Sequence, residues 1–356
     1  MKEEWEYKKL GEVASYINGF AFKPSQWSNT GTPIVRIQNL NNPEASYNYY
    51  DGILPEKVKI KKGDLLISWS ASLGAYLWMG DEAYLNQHIF KAQFDKLDID
   101  KMYLKYAVSS KLDVMANLVH GATMKHIVKS DFDKTKIPYP PKSTQLSIVS
   151  ELDKLNELIR IKKEQLKDYD ALAQSIFYEM FGDPVENEKG WEVKKFGDLF
   201  KLKSGDGLSS KDFKTGIYPV YGGNGISGYH NSFNMKGCYI IIGRVGVYCG
   251  NVRKVEGEFW LTDNAFRLIY KENEQNPFFI LYLLNILDLH QYANAAAQPV
   301  ISNLTLKSIN VPLPPLSLQQ SFAHKIEQIE RQKAEVQKTI TDLETLLTAR
   351  MQYWFD

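Results

Sequence analysis

The sequence predicts an α+β protein with two similar domains, each a twisted, largely antiparallel sheet with helices, and two long helices that pair as a coiled coil. Two observations support this fold class. An apolar spacing typical of coiled coils runs from Gln145 to Met180 and returns from Gln319 to Trp354. Short motifs of the first half of the chain also recur, in the same order, in the second half. Such self-similarity indicates an internal tandem repeat.

Each long helix carries a narrow apolar seam whose positions alternate by four and three residues. The seam positions are Leu152, Leu155, Ile159 and Leu166 in the first helix and Ile326, Ile329, Val336, Ile340 and Leu343 in the second. A lysine lies near the middle of each seam, Lys162 and Lys333, where a polar residue fixes register at a cost in stability. At 1.5 Å per residue, each stretch predicts a helix of about 54 Å. Neither helix can bury its seam alone, so we expect them to pair; the alternative is two unrelated surface helices.

The recurring motifs define the repeated unit. Trp5 to Glu12 recurs as Trp191 to Asp198, and Lys62 to Ile67 recurs as Lys236 to Ile241. Each domain closes on a proline-rich strap, a stiff extended segment because proline fixes φ. The straps are Ile137 to Pro141 and Val311 to Pro315. The predicted organisation is domain 1 (1–142), spacer helix 1 (143–182), domain 2 (183–316) and spacer helix 2 (317–356).

Short apolar runs predict strands, and longer runs with helical spacing predict helices inside each domain. The predicted strands are 33–37, 65–69, 239–242 and 266–270, and the predicted helices are 102–118 and 277–294.

Composition excludes several classes of protein. The 356-residue chain is 44% hydrophobic, and it has no apolar run of the length that a membrane span needs. The two cysteines, Cys238 and Cys249, form no CxxC motif, and Met1 to Trp5 lacks the apolar core of a signal peptide, so we expect a cytoplasmic protein. A net charge of +1 is low for a nucleic-acid binder. The six histidines show no metal-ligand spacing, and we predict no metal site and no catalytic residue.

The repeated Trp-x-x-x-x-Leu/Phe-Gly opening, the proline-rich strap and the glutamines at the start of each long helix (Gln145; Gln319, Gln320) resemble the DNA specificity subunits of type I restriction-modification systems. The resemblance covers essentially the whole chain. It implies two target recognition domains, each reading one half of a split site in double-stranded DNA. It also implies that the spacer helices pair antiparallel, with pseudo-two-fold symmetry, and dock two methyltransferase subunits. A restriction subunit joins through these, and S-adenosylmethionine binds to the methyltransferases, with no cofactor in this chain.

Base readout needs amides, hydroxyls and guanidinium groups on loops, because these match the hydrogen-bonding edges of bases. In domain 1 the candidates are Arg36, Gln38, Asn39, Ser70, Ser72, Asn86, Gln87, His88, Thr123, Lys125 and His126. In domain 2 they are Tyr221, Asn224, Arg244, Thr262, Asp263, Asn264, Gln298, Ser302 and Asn303. For each residue alone, a turn or a satisfied buried polar group is the alternative. As sets they occupy corresponding places in the two repeats and differ in identity, which suits two unlike half-sites.

Two other functions stay open from the sequence. One is a tandem-domain scaffold that assembles through its helices and binds peptides or glycans. The other is a self-sufficient methyltransferase or nuclease. Asn276-Pro277-Phe278-Phe279 is a weak match to the Asn-Pro-Pro-aromatic motif of amino-methyltransferases, because this sequence lacks the second proline. The resemblance favours a non-catalytic, DNA-reading subunit over both.

Overall fold

The structure is a computed structural model that describes residues 5–42, 44–117, 127–271, 275–294 and 298–356, without the side chains of 113, 114, 116 and 117. The α-helices are α1 (Leu10–Val13), α2 (Ile37–Asn41), α3 (Lys101–Asn117), α4 (Lys129–Lys134), α5 (Lys142–Phe181), α6 (Phe196–Leu199), α7 (Pro277–Ile286), α8 (Asn303–Lys307) and α9 (Leu316–Phe355). Short 3₁₀ helices lie at Pro24–Gln26, Glu56–Val58, Ser210–Asp212 and Leu289–Tyr292.

The strands are β1 (Glu6–Lys9), β2 (Ser15–Asn18), β3 (Thr32–Val35), β4 (Asn48–Tyr50), β5 (Lys59–Ile60), β6 (Leu65–Ser68), β7 (Gly74–Leu77), β8 (Ala83–Leu85), β9 (Ile89–Gln93), β10 (Lys136–Tyr139), β11 (Glu192–Lys195), β12 (Phe200–Ser204), β13 (Tyr218–Gly222), β14 (Gly225–His230), β15 (Met235–Gly243), β16 (Val252–Leu261), β17 (Ala265–Tyr270) and β18 (Asn310–Leu313).

The chain divides into two compact units. Unit 1 is Met1–Lys162 with Thr339–Asp356, and unit 2 is Lys163–Lys338. The division passes through both long helices, so each unit contains one sheet domain and a segment of α5 and of α9. The predicted domain boundaries, which set the helices apart from the domains, stay a prediction, although α5 and α9 begin and end close to the predicted helix limits.

Unit 1 contains two four-stranded sheets, β2-β9-β6-β7 and β4-β3-β8-β5, and a β1-β10 ribbon. The pairs are antiparallel apart from β3 with β8. Its main core joins Phe90 of the first sheet to Tyr103 of α3 and Phe132 of α4, all fully buried.

Unit 2 contains one six-stranded sheet, β12-β17-β15-β16-β13-β14, and a β11-β18 ribbon. Its pairs are antiparallel apart from β13 with β16. Its main core joins Phe200 of the sheet to Phe279 of α7 and Phe177 of α5. The parallel pair recurs at the equivalent place in both units, and the predicted α+β fold class is confirmed.

The two repeated motifs meet in each ribbon. The opening motif supplies β1 and the strap supplies β10, with Glu6 opposite Tyr139 and Lys9 opposite Lys136. In unit 2, Glu192 lies opposite Leu313 in the same arrangement. Each strap therefore fixes the entry of a long helix by pairing with the first strand of its own domain.

The long helices run antiparallel within each unit. In unit 2, Asp170 of α5 binds Lys333 of α9 (2.7 Å), and Phe177 of α5 packs against Phe322 of α9. A residue further along α5 therefore contacts a residue earlier in α9, which is the antiparallel arrangement. Of the predicted seam, Leu152, Ile159, Ile326, Ile329, Val336 and Ile340 are buried, and Leu155, Leu166 and Leu343 are half-buried. Lys333 also binds Glu330 (3.1 Å), so the seam lysine is satisfied by carboxylates on both helices.

Two details differ from the sequence analysis. Continued past Leu166, the seam spacing predicts Ala173, Ile176 and Met180, whereas the buried residues near the end of α5 are Ala173, Phe177 and Phe181. The reason is that the Phe177 and Phe181 rings also pack on Phe279 of α7. The predicted helix 277–294 ends at Ile286, since Asp288 adopts left-handed geometry (φ 43°) and starts the 3₁₀ turn.

Candidate nucleic-acid interface

Backbone hydrogen bonds bring the separate predicted stretches of domain 1 together. The Asn86 N–H donates to Val35 O (3.1 Å), which joins the Asn86–His88 turn to the segment that begins at Arg36. The Trp69 N–H donates to His88 O (3.3 Å), and the Ile127 N–H donates to Trp69 O (2.9 Å). We call this arrangement the loop junction of unit 1. Segments far apart in sequence thus form one surface.

Unit 2 contains the equivalent loop junction. The Thr262 N–H donates to Tyr221 O (2.9 Å), the Arg244 N–H to Asn264 O (2.9 Å) and the Ile301 N–H to Arg244 O (2.9 Å). The same three connections therefore recur on different residues. The predicted stretches around Tyr221, Arg244 and Asn264 are adjacent in space.

In unit 2 the loop junction forms a concave surface around a cavity with a volume of about 520 Å³. Three predicted amide side chains line it and are exposed, namely Asn224, Asn264 and Gln298. An amide presents a donor and an acceptor, the pair that adenine offers in the major groove. The surface can therefore bind a base edge through several amides at once.

Glycines of the β13–β14 hairpin let its backbone approach the rest of the surface. Gly225 has φ of 102°, and a Cβ on Gly223 would lie 2.3 Å from Val245 O. Arg253 reaches the hairpin tip and donates from Nη2 to Asn224 O (3.3 Å). The tip carrying Asn224 is thus held in place, while Tyr221 behind it is half-buried with its ring against Phe259.

Several domain 2 candidates make contacts that stabilise the local structure. Thr262 is buried, and its hydroxyl accepts from the Asn264 N–H (3.4 Å). Ser302 caps α8 by accepting from the Thr305 N–H (3.0 Å), and Asn303 is the half-buried first residue of that helix. Arg244 lies over the Phe266 ring and donates to the carbonyl of the exposed Asp263 (3.4 Å). These contacts match the structural alternative left open for single residues.

In unit 1 the turn from Asn86 to His88 is half-buried at the loop junction. The Asn86 Oδ1 accepts from the Gln87 N–H (2.6 Å), and the Gln87 Nε2 lies 3.2 Å from His88 Nε2. The His88 ring packs edge-on against Trp69, 5.4 Å between centroids. Among the contacts described, the Gln87 side chain uses its Nε2 and not its Oε1.

The remaining domain 1 candidates divide by exposure. Asn39 is buried and its amide donates to Ala45 O and Ser46 O, while Ser70 is also buried. Arg36 lies over the Trp27 ring and donates to Asn48 Oδ1 (2.9 Å). Gln38 and Ser72 are exposed. Thr123, Lys125 and His126 lie outside the described residues.

Sequence reasoning missed three serines of the unit 2 surface. Ser209, Ser210 and Ser227 line it beside the predicted amides. The signal available was the Ser-Ser-Lys run before a turn and a serine in the glycine-rich hairpin, neither of which is distinctive.

Among the described residues, no group of three His, Cys, Asp or Glu side chains could hold a metal ion. Nor does any described helix have the length and apolarity that crossing a bilayer requires.

Each unit also presents a groove between its segments of α5 and α9. In unit 1 the groove is lined by Glu151, Leu155, Leu346 and Arg350, among others. In unit 2 the lining includes Leu172, Ile176, Lys325 and Ile329 at the equivalent helix positions. Leu346 and Leu172 are 46% and 47% exposed, so an apolar residue faces solvent in both grooves.

The duplicated sheet domain, its amide-bearing loop junctions and the paired helices define a class of modular recognition proteins. The family model of the type I restriction modification DNA specificity domain matches residues 2–168 and 188–345. The chain therefore belongs to this family of specificity subunits, whose role is DNA recognition and not catalysis. The resemblance found in the sequence is confirmed.

Relatives agree with this assignment, and solved structures share the fold. The EcoprrI specificity subunit of Escherichia coli is 24% identical over 377 residues, 96% of this chain and 94% of the relative. The MjaVIII specificity subunit of Methanocaldococcus jannaschii is 22% identical, over 97% and 92% of the two chains. The fold is similar to the crystal structure of a type I S subunit from M. genitalium (TM-score 0.56, 18% identity, 99% and 96% covered). A structure described for complex assembly and conformational transition of the type I R-M system gives a TM-score of 0.60 at 17% identity, over 98% and 96% of the two chains.

Proposed function

We propose that the chain reads a bipartite, asymmetric DNA site, with one half-site read by each domain. The observation that carries this proposal is the loop junction, which recurs in both units with different side chains. Unit 1 offers Gln87 and His88 where unit 2 offers Asp263 and Asn264, and recognition groups that differ select different bases. Two unlike readers in one chain make the recognised sequence asymmetric.

We propose the grooves between α5 and α9 as docking sites for two methyltransferase subunits, through which the restriction subunit joins. The exposed Leu346 and Leu172 support this, because they occupy equivalent positions in the two grooves and an aliphatic side chain in a groove can anchor a protein partner. In this proposal S-adenosylmethionine binds to the methyltransferases, and this chain binds no cofactor.

Methylome sequencing tests the DNA-reading proposal. Cells of the host with and without this chain are compared, and we expect one split motif, with two unlike halves, to be methylated only when the chain is present. The same methylated motif for this chain and for a relative with different loop residues would oppose the proposal. A mobility-shift assay adds a second readout, since affinity for DNA should fall steeply with salt.

Co-purification tests the docking proposal. Leu346→Asp and Leu172→Asp should each remove one methyltransferase copy, and the double variant should remove both, because a buried unpaired carboxylate opposes association. Leu158→Asp, at a 45% exposed position outside the groove linings, is the matched control. Retention of two copies by the double variant would contradict docking at these grooves.

A further inference from the structure

The loop between β15 and β16 of unit 2, Arg244 to Asn251, ends in two exposed apolar side chains. Val247 is 73% exposed and Tyr248 is 54% exposed. Water-exposed apolar groups next to a polar recognition surface are a frequent sign of a contact site. Neither residue has a role in the candidate interface described so far.

Hydrogen bonds hold this loop in one conformation. The Gly246 N–H donates to Pro299 O (2.9 Å), the Cys249 N–H to Gly246 O (2.9 Å) and the Gly250 N–H to Gly243 O (2.8 Å). Gly246 and Gly250 have φ of 96° and 92°, a region that favours glycine. The exposure of the tip is therefore built into the fold and is not the fraying of a loose segment.

The base of the loop is fixed from below as well. Cys249 is fully buried, and His290 donates from Nδ1 to Cys249 O (2.9 Å). A Cβ on Gly250 would lie 2.5 Å from the His290 backbone nitrogen, so only glycine permits this close approach. A rigid support of this kind lets a small apolar tip discriminate among ligands, because no ordering cost offsets the contact.

The loop is continuous with the amide-lined concave surface. Val245 lines that surface together with Asn224, Asn264 and Gln298. The N–H of the preceding residue, Arg244, donates to Asn264 O. The loop that carries the apolar tip therefore begins beside the Asn264 amide.

We propose that Val247 and Tyr248 contact the methyl group of a thymine in the second half-site. An Asn or Gln amide suits the N6 and N7 edge of adenine, and the paired thymine places its C5 methyl in the same major groove. Amides followed by an apolar tip thus match both members of an A·T pair. This inference rests on the proposed DNA-reading function and names the base feature that the second domain selects.

The equivalent loop of unit 1 has a different chemistry. It runs from Trp69 to Leu73, is shorter, and carries Ser70, Ala71 and Ser72, of which Ser70 is buried. The backbone bond from Ile127 to Trp69 and that from Ile301 to Arg244 identify the two loops as equivalent. The unit 1 loop therefore has no counterpart of the large exposed side chains Val247 and Tyr248, and the inference concerns the second half-site.

Removal of single methyl groups from the DNA tests the inference. Duplexes carrying the methylated motif are made with each thymine of the second half-site replaced in turn by deoxyuridine. Binding by the full chain, assembled with the methyltransferase of its own system, is followed by fluorescence anisotropy. We expect deoxyuridine at one position to weaken wild-type binding about fourfold, the value of one buried methyl-sized group. The double variant Val247→Ala/Tyr248→Ala should lose that sensitivity, and Ile217→Ala, at an exposed apolar residue of the same unit outside the β15–β16 loop, should keep it.

The outcomes separate this inference from the function on which it rests. Wild-type binding that is indifferent to every deoxyuridine of the second half-site overturns the inference, whatever the variants do. An equal fourfold loss in wild type and double variant overturns it too, because the methyl would then contact another residue. Wild-type protein without any sequence preference would overturn the proposed function itself.

Discussion

Gln145 and Gln319 make the same pair of hydrogen bonds in the two units. The Oε1 of Gln145 accepts from the Asp100 N–H (2.8 Å) while its Nε2 donates to Pro140 O (2.9 Å). Gln319 accepts from the Asn276 N–H (2.9 Å) and donates to Pro314 O (2.9 Å). Each glutamine is 1% exposed. Each therefore ties the strap and the first turn of a long helix to the residue that precedes a domain helix, α3 or α7.

Replacing Gln145 or Gln319 by alanine should destabilise the protein by about 1–3 kcal/mol, since each change leaves a part-buried N–H and a buried carbonyl unpaired. Urea unfolding followed by circular dichroism measures the change. Gln320→Ala is the matched control, because Gln320 is exposed beside Gln319. A loss for the control as large as that for Gln319→Ala would show that helix propensity, and not the hydrogen bonds, sets the cost.

Stability should depend on pH through Glu151. The Arg350 guanidinium donates to both of its carboxylate oxygens and the Trp354 indole N–H donates to one, which lowers the pKa of Glu151 below its usual 4.5. Because the folded pKa is depressed, this stabilisation is complete above the usual pKa and is lost as pH falls through the folded value.

Glu151→Gln should therefore lower the free energy of unfolding by up to about 1 kcal/mol at pH 7, and the difference should be smaller at pH 3. Urea titrations at the two pH values measure this. In the Arg350→Met background the same substitution should have almost no effect at either pH. A stability difference between the wild type and the Glu151→Gln variant that stays constant with pH would contradict the ion-pair account.

A chain cut after Gly182 should form a dimer through a two-fold axis. Unit 1 needs the end of α9, where Phe355 is fully buried against Tyr103 (5.3 Å between centroids). The cut chain lacks Phe355, but Phe181 ends α5 at the equivalent repeat position, so a second copy can supply it.

Light scattering measures the mass of this half-chain, and binding assays should show preference for an inverted repeat of the first half-site. Phe181→Ala in the half-chain should weaken the dimer, while Tyr178→Ala, at a 38% exposed position, should leave it assembled. A monodisperse monomer would refute the seam argument.

Base-reading and structural candidates should respond differently to substitution. Gln87→Ala should change preference within the first half-site only, because one reader loses an amide while the other is intact. Motif analysis by methylome sequencing detects the change. A uniform loss of affinity at all sequences would instead indicate a structural or phosphate-contacting role.

Ser302→Ala supplies the contrast in the second domain. Its hydroxyl caps α8, so the substitution should cost about 1 kcal/mol of stability and leave the motif unchanged. Thermal unfolding and the same methylome readout measure the two effects. An altered second half-site would assign Ser302 to base reading after all.

The sequence predicted the long helices well because a seam is a local, periodic pattern that one helix displays by itself. The strands were predicted in part, as strand runs but not as pairs. The parallel partner of β3 is β8, and nothing in the sequence near Val35 indicates it. The helix limit at Ile286 was missed because the helical spacing continues to Asn294, whereas Asp288 adopts left-handed geometry and caps a 3₁₀ turn.

For the candidate site, the sequence identified which stretches are polar but not what each side chain does. Asn39 and Asn264 are the same residue type, yet Asn39 is buried in α2 with its amide on Ala45 O and Ser46 O, and Asn264 is exposed on a concave surface. Caps, turns and base contacts use the same amides and hydroxyls, so composition does not separate them.

The amino-acid sequence by itself determined the duplication, the helical seams and the family, because these depend on order and period along the chain. Only the tertiary structure decided which polar residues share a surface. That outcome depends on backbone hydrogen bonds between segments distant in sequence, such as the Arg244 N–H to Asn264 O, whose partners no local pattern specifies.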